Sequence, residues 1–286
     1  MQLIKTADLK SIEPFLKELY IPPADSHKGQ NGKVLIIGGS ELFHASSLWS
    51  AEVASHFADM VHFSSTKENN EIFLSLKKKF RNGIVINRSD LDYYIKEDDS
   101  ILIGPGMMRI GETHNLTKYV IENFPNKKFV FDAGALQMMD HQWLYLLKEK
   151  PVLTPHPVEF KRLFGIHLQD LSREEKIHIV EKTAKKYNCI LLVKVIVDIV
   201  SDGEKTYVIE GGNAGLTKGG TGDVLAGLCA SLFAKNSALN SAVLSSYFIK
   251  KTADELFSTA GLWYRTSDII VKLPQIFKKI VYNRTA

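Results

Sequence analysis

A chain of 286 residues, 45% of them hydrophobic, is long enough to bury one large α/β core, and a formal net charge of +4 is too small for a nucleic-acid binder. No apolar run reaches the ~20 residues that a membrane helix needs, and Met1 to Lys10 lacks the apolar stretch of a secretion signal. The two cysteines, Cys189 and Cys229, lie inside apolar stretches and in no metal-ligand spacing, which predicts buried thiols in a cytoplasmic protein.

In chain order, Val34-Leu35-Ile36-Ile37 runs into Gly38-Gly39-Ser40, Ile101-Leu102-Ile103 into Gly104-Pro105-Gly106, and Phe129-Val130-Phe131 into Asp132-Ala133-Gly134. Val152-Leu153-Thr154 ends in Pro155-His156-Pro157, and 190–193 adds a fifth apolar run. Each pattern predicts a buried parallel strand that opens into a small-residue loop. Amphipathic stretches at 46–58, 112–123, 137–148 and 173–187 predict crossover helices, giving a mainly parallel sheet with helices on both faces. The runs 195–200 and 205–209 flank Ser201-Asp202-Gly203-Glu204 and predict an antiparallel hairpin at the sheet edge. Helices at about 223–235, 238–257 and 266–281 follow, and the absence of repeats or low-complexity linkers favours one domain over 1–286. Lys77-Lys78-Lys79 reads as a solvated helix face.

Ligands of open α/β sheets bind where strands end, so the strand-end loops are expected to line one crevice. No G-x-x-x-x-G-K-[ST] is present, and Gly38-Gly39-Ser40 lacks the third glycine of a dinucleotide fingerprint. The segment 211–223 carries the chemistry. Gly219, Gly220 and Gly222, with Thr221 between them, allow successive amides to converge on one anion, and the apolar helix starting near Asp223 adds its positive end. A carboxylate weakens a simple anion site, so Asp223 reads as a proton acceptor for a hydroxyl that receives a phosphoryl group. The plain alternative is that Asp223 caps the helix, which leaves the glycines without a purpose. His156, between two prolines, is either held rigidly towards the crevice or satisfied by its own turn. Glu159 caps the following helix or reaches Mg²⁺ through water, and no Cys/His cluster predicts a tightly bound metal.

With these residues in hand, the chain resembles the NAD(P)H-hydrate dehydratases of the ribokinase-like superfamily, of the ADP-dependent archaeal and bacterial type. The likeness spans nearly the whole chain: His27-Lys28-Gly29, the G-G-S and G-P-G loops, Asp132-Ala133-Gly134, Thr154-Pro155-His156-Pro157, Gly212-Asn213-Ala214-Gly215 and Gly219-Gly220-Thr221-Gly222-Asp223. It implies a ribokinase-like fold and a hydro-lyase that repairs hydrated nicotinamide nucleotides, NADHX and NADPHX. It further implies Ser46, Gly106, His156 and Asp223 as substrate contacts, Lys194, Val195, Ile196, Val197, Asp198 and Gly222 as nucleotide contacts, and Gly219 to Gly222 as the anion hole. ADP or ATP with Mg²⁺, a separate NAD(P)HX epimerase and a homo-oligomer are the implied cofactors and partners.

The sequence departs from that pattern at Val195, where glycine is expected, at Asp198 in place of threonine, at Ser46 in place of alanine and at Met108. Valine there excludes a positive φ, and Asp198 is expected to repel nucleotide phosphates unless Lys194 or Mg²⁺ intervenes. Two other functions share the motif: a ribokinase-like kinase of a small vitamin-precursor alcohol, which releases a stable ester, and a non-catalytic nucleotide-binding protein.

Overall fold

The computed structural model of the protein describes residues 1–282. The N-terminal half contains β1 (Gln2–Lys5), α1 (Leu9–Lys17), β2 (Lys33–Ile37), α2 (His44–Ala54), β3 (Met60–Ser64), α3 (Lys67–Ser75), β4 (Gly83–Val85), α4 (Leu91–Glu97), β5 (Ser100–Ile103) and α5 (Gly111–Asn123). There follow β6 (Lys128–Phe131), α6 (Ala133–Met138), β7 (Val152–Leu153), α7 (Pro157–Phe164), α8 (Arg173–Tyr187) and β8 (Ile190–Val193). The chain continues with β9 (Asp198–Ser201), β10 (Thr206–Glu210), α9 (Thr221–Phe233), α10 (Ala238–Ala260) and α11 (Thr266–Tyr282). One sheet runs in the order β1-β10-β9-β8-β7-β6-β5-β2-β3-β4. β8–β9 and β9–β10 pair antiparallel. The remaining neighbours pair parallel.

Alternation along the strands divides the core in two. Val34, Ile36, Leu102 and Val130 face α2, α9, α10 and α11, whereas Leu35, Ile37, Ile101, Phe129 and Phe131 face α4 to α8. Fully burying each such side chain contributes about 1.5–3 kcal/mol, which is why these runs hold the sheet although each strand is short. The expected helices on both faces are therefore present, and α8 keeps the expected limits of 173–187 because Ser172 and Glu175 form a capping box at its start.

Three expectations change. The hairpin does not form the edge: β1 adds parallel to β10, with the Thr6 amide donating to the Glu210 carbonyl at 3.0 Å. The stretch 137–148 is not one helix, because α6 ends at Met138 and a 3₁₀ segment begins at His141 under the Asp140 cap, whose carboxylate accepts from the Gln142 amide. The lysine run closes α3 as a 3₁₀ turn, with Lys77 lying over the Phe73 ring.

Candidate active site

The loop before α9 is built to leave its amides open. Gly220 is the N-cap at φ 95°, in the left-handed region, and a Cβ there would collide with the Trp49 ring of α2. No side chain caps the helix. Among the described residues the amides of Gly219, Gly220, Gly222 and Asp223 donate to no protein group, and Val224 is the first to bond back, to the Gly220 carbonyl. Thr221 departs from the expected anion hole, because its amide turns to the Lys218 carbonyl at 3.4 Å and its hydroxyl to Leu216 and Lys218. Asp223 is the third helical residue and makes no capping bond, which sets the capping alternative aside. α2 and α9 pack tightly enough that Ser50 donates to the Asp223 carbonyl at 2.9 Å, and a Cβ at Gly227 would lie 2.5 Å from the Ser50 carbonyl oxygen.

The Asp223 side chain faces a cavity of about 780 Å³ shared with Ser46, Gly106, Gly134, His156 and Glu159. The four predicted substrate contacts thus converge on one space, and a Cβ at Gly106 would lie 3.0 Å from that of Ser46. Burial pushes Asp223 up from 3.8 to about 7, helped by the Asp132 carboxylate and opposed by Lys194 and the Ser46 hydroxyl. That places a proton acceptor at the threshold of ionisation near neutrality. His156 combines both of its expected roles. Its Nδ1 accepts from the Val158 and Glu159 amides at 3.1 and 3.3 Å, so the ring proton lies on Nε2, beside Glu159 and facing the cavity. Glu159 returns a bond from the His156 amide at 3.0 Å, completing a capping box.

Behind Asp223, Lys194 Nζ donates to Asp132 Oδ1 at 2.7 Å and lies 3.9 Å from Glu159. Burial pulls the Lys194 ammonium down, but the Asp132 and Glu159 carboxylates offset this and hold it above its ordinary range. Asp132 also accepts the Thr154 hydroxyl at 2.7 Å, and Gln137 donates to Glu159 at 3.1 Å. The next residue, Ala133, is held at φ 45°. The sequence reading gave roles to neither Asp132 nor Gln137; the signal for Asp132 was a lone acid at the end of an apolar strand, level with the other strand-end loops.

On the far side of the glycine turn lies a second cavity of about 540 Å³, lined by Lys194, Val195, Ile196, Asp198, Gly212 and Gly222 among others. Five of the six expected nucleotide contacts meet there, while Val197 turns away and packs against the core. Val195 is not among the residues with positive φ, so valine is accommodated without strain. The cation beside Asp198 is Lys250 rather than Lys194. Asp198 accepts from the Val195 amide at 3.1 Å and the Ser246 hydroxyl at 2.7 Å and lies 3.6 Å from Lys250. Burial raises the Asp198 pKa, and Lys250 is the largest opposing influence. Lys250, buried in α10 and donating to the Ile196 carbonyl at 2.9 Å, was missed, although a lysine in so apolar a helix signals a buried partner.

Comparison with known proteins agrees with this architecture. Residues 34–275 match a family model described as NAD(P)H-hydrate dehydratase. The chain is 34% identical over 274 residues to the bifunctional NAD(P)H-hydrate repair enzyme Nnr of Methanocaldococcus jannaschii, covering 92% of this chain and 51% of that protein, so it spans about half the length of that relative. It is 30% identical to the ADP-dependent (S)-NAD(P)H-hydrate dehydratase of Nitrosopumilus maritimus, covering 94% and 97% of the two chains. The crystal structure of the ADP/ATP-dependent NAD(P)H-hydrate dehydratase of Bacillus subtilis, co-crystallised with ATP/Mg²⁺, superposes with a TM-score of 0.82 at 19% identity over 94% of this chain and 96% of that one, and a ribokinase-like superfamily protein of Enterococcus faecalis with a TM-score of 0.84 at 22% identity over 98% and 96%, so the fold is ribokinase-like. With residues 34–275 matched by the family model and a dehydratase 30% identical over nearly all of both chains, the protein belongs to the NAD(P)H-hydrate dehydratase family.

Proposed function

We propose that the protein repairs hydrated NADH and NADPH by ADP-dependent dehydration, giving NAD(P)H, AMP and phosphate. The observation that carries this reading is the position of Asp223 and the open amides of Gly219, Gly220, Gly222 and Asp223 between two cavities, one for each reactant. Asp223 takes the proton from the C6 hydroxyl of the hydrated ring as that oxygen receives the β-phosphoryl group of ADP. The amides hold the charge on the moving phosphoryl, and AMP is released into the nucleotide cavity. The C6–O bond then breaks, phosphate departs with the electron pair, and the ring loses a neighbouring proton to restore its double bond. His156 and Ser46 hold the ring and its hydroxyl against Asp223.

Among the described residues, no group of three or more His, Cys, Asp or Glu is arranged to hold a metal. Asp132 and Glu159 are the carboxylates that would hold a Mg²⁺ carried by the nucleotide, and the ion would neutralise phosphate charge. C6 is a stereocentre and the Nitrosopumilus relative is named for the (S) form, so a separate epimerase supplies that form from the other. We place the enzyme in the cytoplasm as a homo-oligomer; exposed Phe257, Leu262 and Trp263 offer the apolar surface for assembly.

The test supplies hydrated NADH with ADP or ATP and follows NADH absorbance and phosphate together. Equal release of NADH and phosphate is expected, with Asp223→Asn slower by about 10²–10⁴-fold. A stable phosphorylated product would make the protein a kinase, and binding without phosphate release a non-catalytic nucleotide binder.

A further inference from the structure

Glu159 and Asp223 line the larger cavity, and a dinucleotide carries a pyrophosphate that those carboxylates repel. Two arginines stand on the wall of the same cavity. Arg162 lies one helical turn beyond Val158 on α7, and both line the cavity. Its Nε donates to the Gln137 carbonyl at 2.8 Å, and among the described residues it has no carboxylate partner, so its guanidinium is fixed before any ligand arrives. Arg109 follows the Gly104-Pro105-Gly106 loop and, among the described residues, makes no hydrogen bond or ion pair. Arg173 pairs with Glu210 at 3.0 Å and Arg265 with Asp268 at 2.9 Å, whereas Arg109 and Arg162 have no acid partner among the described residues. Two guanidinium groups without an acid partner, on the wall of a cavity that also holds Glu159 and Asp223, are arranged for an anion that must be kept away from those carboxylates.

We infer that Arg109 and Arg162 grip the pyrophosphate of the dinucleotide substrate and set the distance at which its hydrated ring meets Asp223. This assignment rests on the hydrated-dinucleotide reading of the cavity. Bidentate contacts from guanidinium to phosphate supply both charge and orientation, which lysine cannot reproduce. Both side chains are exposed, so their replacement leaves the core intact.

The experiment measures binding of hydrated NADH and of hydrated NADPH, without ADP, to the wild type and to Arg109→Gln, Arg162→Gln, Arg162→Lys and the double glutamine variant. Dissociation constants are expected to rise about tenfold or more for either glutamine variant, equally for the two substrates, with Arg162→Lys weakened as well. The wild type is also expected to lose affinity more steeply with added salt than the double variant. Unchanged affinity in the double variant overturns the clamp. Loss confined to hydrated NADPH overturns the pyrophosphate assignment in favour of the 2′-phosphate. A wild type that binds hydrated NADH through these arginines but releases no phosphate with ADP leaves the clamp standing and defeats the catalytic reading, whereas a wild type that binds neither dinucleotide defeats both.

Discussion

Asp223 is held in a surrounding that resists its charge, and this has a consequence for stability as well as for rate. Its proton affinity is raised from 3.8 to about 7, chiefly by burial and then by the Asp132 carboxylate. A raised carboxylate favours the protonated folded state, so the cost of ionising it is absent below about pH 4, grows as the pH rises, and is fully present above about pH 7. Asp223→Asn, uncharged at every pH, is therefore expected to be more stable than the wild type by about 1–3 kcal/mol at pH 8. Denaturant unfolding across pH checks this, and the difference should shrink as the pH falls towards 4. Asp223 and the glycines around it were legible in the sequence because acid, turn and apolar helix are contiguous. Asp132, Gln137 and Lys250 were not, because their meaning lies in partners from distant strands and helices, such as Lys194 for Asp132 and Asp198 for Lys250.

At the scale of elements, the loop between β8 and β9 is governed from α10. Lys250 offsets the charge of Asp198 and donates to the Ile196 carbonyl, so one buried lysine balances the acid of this loop and ties down its backbone. Lys250→Met leaves Asp198 buried without a cation and is expected to destabilise the protein by about 3–5 kcal/mol. Asp198→Asn combined with Lys250→Met removes both charges and should recover most of that loss in chemical denaturation; no recovery would show that Lys250 acts through the loop carbonyl alone. Strands with uninterrupted apolar runs and small-residue ends were legible, as was α8 through its amphipathic pattern. β1 buries Ile4 alone among its four residues, β4 has three residues, and β3 is interrupted by His62, whose Nδ1 lies 2.9 Å from Asp98. Pairing partners supplied by the rest of the sheet, rather than local pattern, make these three segments strands.

For the molecule as a whole, the parallel strands bring Gly38, Gly104, Asp132, Thr154 and Lys194 to one end of the sheet, and α9 delivers its open amides to the same place. Occupying either cavity should hold the whole fold together, since the residues lining each come from elements far apart in the chain. Saturation with ADP·Mg²⁺ at about a hundred times its Kd contributes about 2.7 kcal/mol, an expected rise in Tm of about 4–8 °C by calorimetry. No shift would mean that the folded protein does not bind the nucleotide. Gly222 lines one cavity and Asp223 the other, so neighbouring residues of one turn part the two spaces. Under the proposed function, separate mouths predict that either reactant can bind first, an expectation that product-inhibition kinetics checks.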